Sequence, residues 1–125
     1  MKVFFDNVDF NSSSGPNSFA KKLRVALEKM NCKVNRLEDP DVQLSFIQTI
    51  KKKAPVIQRL DGIYFNSSQD WKTLNQPIKN SYNSADGVVF QSIFNKILTE
   101  KYFGVKENTA IIHNGADLNL IRSIE

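Results

Sequence analysis

Val56-Ile57-Gln58-Arg59-Leu60-Asp61-Gly62 opens as an apolar run just after Pro55 and closes on Arg, Asp and Gly. A short apolar run bounded by a breaker reads as a buried strand of the kind found in a parallel sheet. Polar residues at the C-terminal end of such a strand stand where open α/β sheets bind ligands, in the crevice outside the carboxyl ends of the strands. The expectation is a sheet built around this strand, with Arg59 and Asp61 facing a ligand. On a two-residue period their side chains share one face, so they either grip a polar ligand jointly or form an ion pair that caps the strand end. A carboxylate at Asp61 can accept a proton from a hydroxyl or orient one.

Outward from this strand, the pattern alternates strands and helices. Upstream, residues 2–6 form a first strand through Val3, Phe4 and Phe5, followed by a polar loop that ends in Gly15-Pro16-Asn17. Phe19, Leu23, Ala26, Leu27 and Met30 then recur at helical spacing, with Asn17 or Ser18 as cap and Asn31 as the stop. Cys32–Leu37 is a second strand. Val42–Phe46 alternates apolar and polar as a half-buried strand does, and a short helical turn over 47–53 carries Lys51-Lys52-Lys53.

Downstream, residues 63–75 form a loop holding Tyr64, Phe65 and Trp71. A helix capped by Asn75, with Pro77 in its first turn, follows and buries Ile78, Tyr82 and Ala85. Gly87–Phe90 is a fifth strand. The next helix turns Phe94, Ile97 and Leu98 inward and ends near Gly104. Thr109–His113 is a sixth strand, Asn114-Gly115 a turn, and Leu118–Glu125 is unassigned. The fold expected is a three-layer Rossmann-like α/β domain with a mostly parallel sheet of about six strands.

Composition narrows the classes. The 125 residues suit one domain, and 41% apolar with 24% charged is ordinary globular usage. A net charge of +4 favours anionic ligands but is too mild to indicate nucleic acid. No run approaches the ~20 apolar residues of a membrane span. The single cysteine, Cys32, excludes an internal disulfide and fits a reducing cytoplasmic setting. Asn11-Ser12-Ser13 and Asn66-Ser67-Ser68 match the glycosylation sequon by chance, since no secretion signal precedes them.

The first loop is the other candidate for chemistry. A strand, a glycine-containing turn and a helix N-terminus make an anion site, because the first helical N–H groups point outward and the dipole favours negative charge. The same pattern also describes a plain capped helix. Only Gly15 of a dinucleotide fingerprint is present, which weakens an oxidoreductase reading, and the P-loop lysine motif is missing. His113 and Cys32, one of each type, cannot make a zinc site of the usual kind. Tyr64, Phe65 and Trp71 either stack on a sugar or pack beneath the loop.

Four pieces in order carry a family likeness: Gly15-Pro16-Asn17-Ser18-Phe19, Arg59-Leu60-Asp61-Gly62, Ala85-Asp86-Gly87-Val88-Val89-Phe90-Gln91-Ser92, and Ile111-Ile112-His113-Asn114-Gly115-Ala116-Asp117. Together they resemble the N-terminal, acceptor-side half of a GT-B glycosyltransferase of the retaining family 4 type. The resemblance implies a Rossmann-like domain over 1–117, with 118–125 starting an interdomain connection, and a separate C-terminal donor-binding domain. It implies transfer of a sugar from a nucleotide-sugar, a substrate and not a cofactor, to a glycan or other hydroxyl acceptor, with no bound metal.

By that resemblance Gly15, Pro16, Asn17 and Ser18 form the loop toward the donor diphosphate. Arg59, Asp61, Gly62, Gln91 and Ser92 line the acceptor-side cleft. Asp61 stands at the catalytic position where many relatives have histidine, and Asn114, Gly115 and Asp117 form the interdomain turn. A lobe without its partner domain is expected to have little activity and to self-associate through its exposed cleft face. The alternative is a non-enzymatic Rossmann-like module that binds a glycan or a partner chain.

Overall fold

A computed structural model describes residues 1–12, 15–35, 39–60 and 71–112, with backbone only at 15, 16 and 71. In chain order the elements are β1 (Lys2–Asp6), α1 (Gly15–Lys29), β2 (Lys33–Val34), β3 (Val42–Phe46), β4 (Val56–Leu60), α2 (Trp71–Ser84), β5 (Gly87–Phe90), α3 (Ile93–Phe103) and β6 (Thr109–Ile111). The strands form one sheet in the order β2-β1-β3-β4-β5-β6, and every pairing is parallel. This is the three-layer Rossmann-like α/β architecture, with β4 inside the sheet between β3 and β5.

Strand register sorts the side chains onto two faces. One face carries Val3, Phe5, Val34, Val42, Leu44 and Phe46, and α1 packs on it through Phe19, Ala20, Leu23 and Leu27. The other carries Val56, Leu60, Val88 and Phe90, covered by Ile78 and Tyr82 of α2 and by Leu98, Tyr102 and Phe103 of α3. On the α1 face, an open apolar groove lined by Ile57, Val89 and Ala110 runs across β4, β5 and β6.

α1 ends as its sequence dictates. Asn31 takes a left-handed φ of 64°, Cys32 N–H donates to the Leu27 carbonyl and Asn31 N–H to that of Glu28. Those bonds are the Schellman pattern, and asparagine tolerates the required conformation better than most residues. Its start differs from expectation. The helix begins at Gly15, and Asn17 Oδ1 accepts the Asp9 N–H at 2.9 Å, so Asn17 holds the preceding loop instead of capping the helix.

The region around β3 and β4 corrects two expectations. No helical turn forms over 47–53, and Gln43 and Ser45 are fully buried, not solvent-facing. The cause is an irregular connector lying across the sheet face where a helix would otherwise sit. Its backbone groups need partners, and the strands supply them. Gln43 Oε1 accepts from Lys53 N–H at 2.6 Å and Ala54 N–H at 3.1 Å, while its Nε2 donates to the Lys51 carbonyl at 2.9 Å. Asp6 Oδ2 accepts from Ile50 N–H at 2.8 Å and from the Ser45 hydroxyl at 3.1 Å. Gln58 Nε2 donates to the Ile47 carbonyl at 2.7 Å and more weakly to that of Ile78. The polar half of the β3 alternation thus serves a buried hydrogen-bond network.

Other boundaries also shift. β2 covers only Lys33–Val34 before Asn35 turns left-handed. β6 ends at Ile111, and His113 falls outside the described residues. α2 begins at Trp71, so Asn75 is a buried mid-helix residue and Pro77 lies inside the helix, not in its first turn. In α3, Leu98 packs on the core but Phe94 and Ile97 are 68% and 64% exposed. The inward positions belong to Asn95 and Thr99. Asn95 Nδ2 donates to the buried Leu60 carbonyl at 2.7 Å, and Thr99 Oγ1 donates back to Asn95 Oδ1 at 3.2 Å. Serving the end of β4 sets the rotation of the helix.

Tyr82 ties α2 to the end of α3. Its hydroxyl donates to the Gly104 carbonyl at 2.6 Å, and its ring meets Phe103 at 5.5 Å between centroids. Burial pushes its phenol above the ordinary value of 10.0, and the Glu100 carboxylate adds to the rise. A folded-state pKa above the unfolded one means that stability is fully present below the unfolded value and falls as pH rises past it. Chemical unfolding as a function of pH should show an alkaline loss above pH ~10. Tyr82→Phe should flatten that loss while costing about 1 kcal/mol at neutral pH.

Candidate functional site

Three strands end in the same way at the carboxyl edge. Asn7, Asn35 and Ile47 directly follow β1, β2 and β3, with φ of 61°, 52° and 72°. Each chain reversal is bonded into the sheet. Asn7 Nδ2 donates to the Phe46 carbonyl at 2.7 Å, and Phe5 N–H donates to Asn35 Oδ1 at 2.7 Å. Ile47 is the unusual member, because a β-branched residue resists this conformation. Its N–H donates to the Arg59 carbonyl at 2.8 Å, and its own carbonyl accepts from Gln58.

The turns at Asn7 and Asn35 border a crevice of about 580 Å³ at the end of β1, lined also by Asp6, Asp9, Asn17 and Lys51 among others. It lies where the chain leaves β1 toward β2 on one side while β3 pairs on the other, the topological switch point at which open α/β sheets bind ligands. The first turn of α1 forms part of its wall and carries no acidic residue, so the positive end of the helix dipole is not opposed from within that turn. The Asp6 carboxylate is held by backbone N–H groups and a hydroxyl, which fits a structural role better than that of a free base.

Arg59 reaches the same edge from β4. It is 3% exposed, and its guanidinium lies 3.8 Å from the centroid of the Phe19 ring in the first turns of α1. An arginine over an aromatic face is held in part by a cation–π contact, which helps to fix its position. The fold thus brings Arg59 next to the helix that begins with Gly15, Pro16, Asn17 and Ser18. Two sequence candidates separated by forty residues or so meet at one corner of the carboxyl edge.

Gln91 and Ser92 sit one strand further along, at the β5–α3 junction. Gln91 N–H donates to the Leu60 carbonyl at 3.2 Å, and Ser92 Oγ caps α3 by accepting from Asn95 N–H at 3.0 Å. Both are half-buried and on the carboxyl edge. Asp61, Gly62, Tyr64 and Phe65 lie outside the described residues, as do Asn114, Gly115 and Asp117. Sequence reasoning passes over Asn7 and Asn35 and reads Lys51, with Lys52 and Lys53, as a solvated face. The asparagines carried a signal, since each directly follows a short strand and this residue type enters left-handed turns readily. Among the described residues, no three His, Cys, Asp or Glu side chains gather in a way that could hold a metal ion. No helix there is long and apolar enough to cross a membrane. The chain matches no family model, no curated protein and no solved structure.

Proposed function

We propose that this domain is the acceptor-side lobe of a retaining GT-B glycosyltransferase. The observation that carries the proposal is Arg59 packed against the first turns of α1 at the carboxyl edge of a parallel sheet. In such a transfer the bond from the sugar C1 to the donor phosphate breaks and a bond from C1 to the acceptor oxygen forms. The acceptor proton is lost and a nucleoside diphosphate departs. The diphosphate gains charge as it leaves, and a guanidinium beside a helix N-terminus would stabilise that charge. Gly15–Ser18 would approach the diphosphate, Gln91 and Ser92 would border the acceptor, and Asp61 would orient or accept the acceptor hydroxyl proton. A donor-binding lobe, in cis or in trans, completes the cleft.

Ligand-observed NMR on the purified chain, with nucleotide-sugars, free nucleotides, dinucleotides and simple glycans as probes, tests this. Nucleotide-sugar or glycan binding should weaken by about tenfold or more in Arg59→Ala, the loss of one charge-assisted contact. Arg59→Lys keeps the charge but not the planar fork, and should recover part of it. Thermal unfolding of both variants separates lost binding from lost folding. Dinucleotide binding indifferent to Arg59 would overturn the proposal in favour of a cofactor-binding module. The open apolar groove across β4–β6 favours one other reading, a non-enzymatic module with a protein partner. A chain that binds none of the small probes yet pairs through that groove would establish it.

A further inference from the structure

α3 packs Leu98, Tyr102 and Phe103 on the core but turns its other apolar residues outward. Ile93, Phe94 and Ile97 are 59%, 68% and 64% exposed, while the inward positions are filled by Asn95 and Thr99. At one hundred degrees per residue these three fall on a single outward stripe, with Lys101 between them in projection. The stripe begins next to the Ser92 cap, at the carboxyl edge of the sheet. Charge is distributed unevenly around it. α2 and α3 together contain four lysines, Lys72, Lys79, Lys96 and Lys101, and one carboxylate, Glu100, which is paired with Lys96 at 3.5 Å. Lys72 and Lys79 line the groove between the two helices with Tyr102 and Phe103.

We propose that this helical layer is a membrane-surface site, with Ile93, Phe94 and Ile97 set among the headgroups of an anionic bilayer and the lysines against lipid phosphates. Two arguments select lipid over a second copy of the chain. Three side chains of this size present roughly 300–400 Å², about half of the ~800 Å² that each partner gives to a stable protein interface. The stripe is also the convex outer face of one helix. A convex apolar ridge that carries Lys101 and is flanked by the Lys96–Glu100 pair needs no complementary groove to enter an interface, and the excess of lysine over carboxylate on these two helices matches anionic lipid. An eleven-residue helix lying in that plane is about 16 Å long, so the chain would rest on the bilayer and not span it. The site is independent of the Arg59 corner.

The test is co-sedimentation of the purified chain with vesicles of phosphatidylcholine alone and of an equal mixture with phosphatidylglycerol. Binding to the mixed vesicles is expected. Phe94→Ser should weaken it about tenfold or more, and Lys101→Glu and added salt should weaken it further. Both side chains point to solvent, and unchanged thermal unfolding of the two variants confirms that folding is not at issue. Absence of binding to either vesicle overturns the proposal. So does binding that Phe94→Ser leaves intact, or that inorganic phosphate fully displaces, which would mark a free-anion site. A dimer in analytical ultracentrifugation that Phe94→Ser dissolves, with no vesicle binding, would assign the stripe to a second copy instead.

Discussion

Gln43→Leu is expected to destabilise the domain by about 4 kcal/mol, read as a lower midpoint in urea unfolding at constant slope. The two side chains are similar in size, so almost no cavity forms, and the leucine gains some apolar burial. What is lost is the pairing of three backbone groups. Lys53 N–H, Ala54 N–H and the Lys51 carbonyl all bond to this one amide. Gln43 is 0% exposed, and its bonds to the connector are buried at Ala54 and part-buried at Lys51 and Lys53. Each buried group without a partner costs about 1–3 kcal/mol, which outweighs the hydrophobic gain. A neutral or stabilising substitution would mean that the connector finds other partners at little cost, and that the network does not hold it.

Asp6→Ala should cost about 3 kcal/mol, and its effect should overlap with that of Gln43→Leu. The carboxylate accepts from Ile50 and Lys51 N–H groups and from the Ser45 hydroxyl. Ser45 Oγ in turn accepts from Gln43 Nε2 at 3.0 Å, so the two residues act on one segment through a shared hydroxyl. Once either is gone the connector is partly released, and removing the other has less left to break. The double variant should therefore fall short of the sum of the single costs by about 1 kcal/mol or more. Strict additivity in the four urea curves would show two independent anchors and sink the idea of one network.

Much of the fold could be read from runs of residues that obey one rule at a time. The run at Val56–Leu60 opens on apolar residues and has buried positions on both faces. Asn31 and Gly104 end helices because their backbones enter regions other residues avoid. The failures occur where a distant group overrides the local pattern. The spacing of Phe94, Ile97 and Leu98 reads as a buried stripe, yet the Leu60 carbonyl, thirty-five positions away from Asn95, claims the inward face. Likewise nothing within Val42–Phe46 reveals that Gln43 and Ser45 face a bare connector and not water. At the site, Arg59 and the start of α1 were each recognisable, but their meeting over Phe19 depends on strand order, which no local pattern encodes.

Segments without helix or strand are ordinarily the first parts of a protein to open. The connector between β3 and β4 is an exception in kind. Side chains rooted in β1, β3 and β4 grip its backbone, so it cannot swing away while those strands remain paired. Its opening is tied to that of the sheet, and it behaves in time as part of the sheet. A ligand arriving at the carboxyl edge therefore meets a fixed wall at Ile50 and Lys51, not a gate. Any closure over that ligand has to be made from the other sides of the crevice.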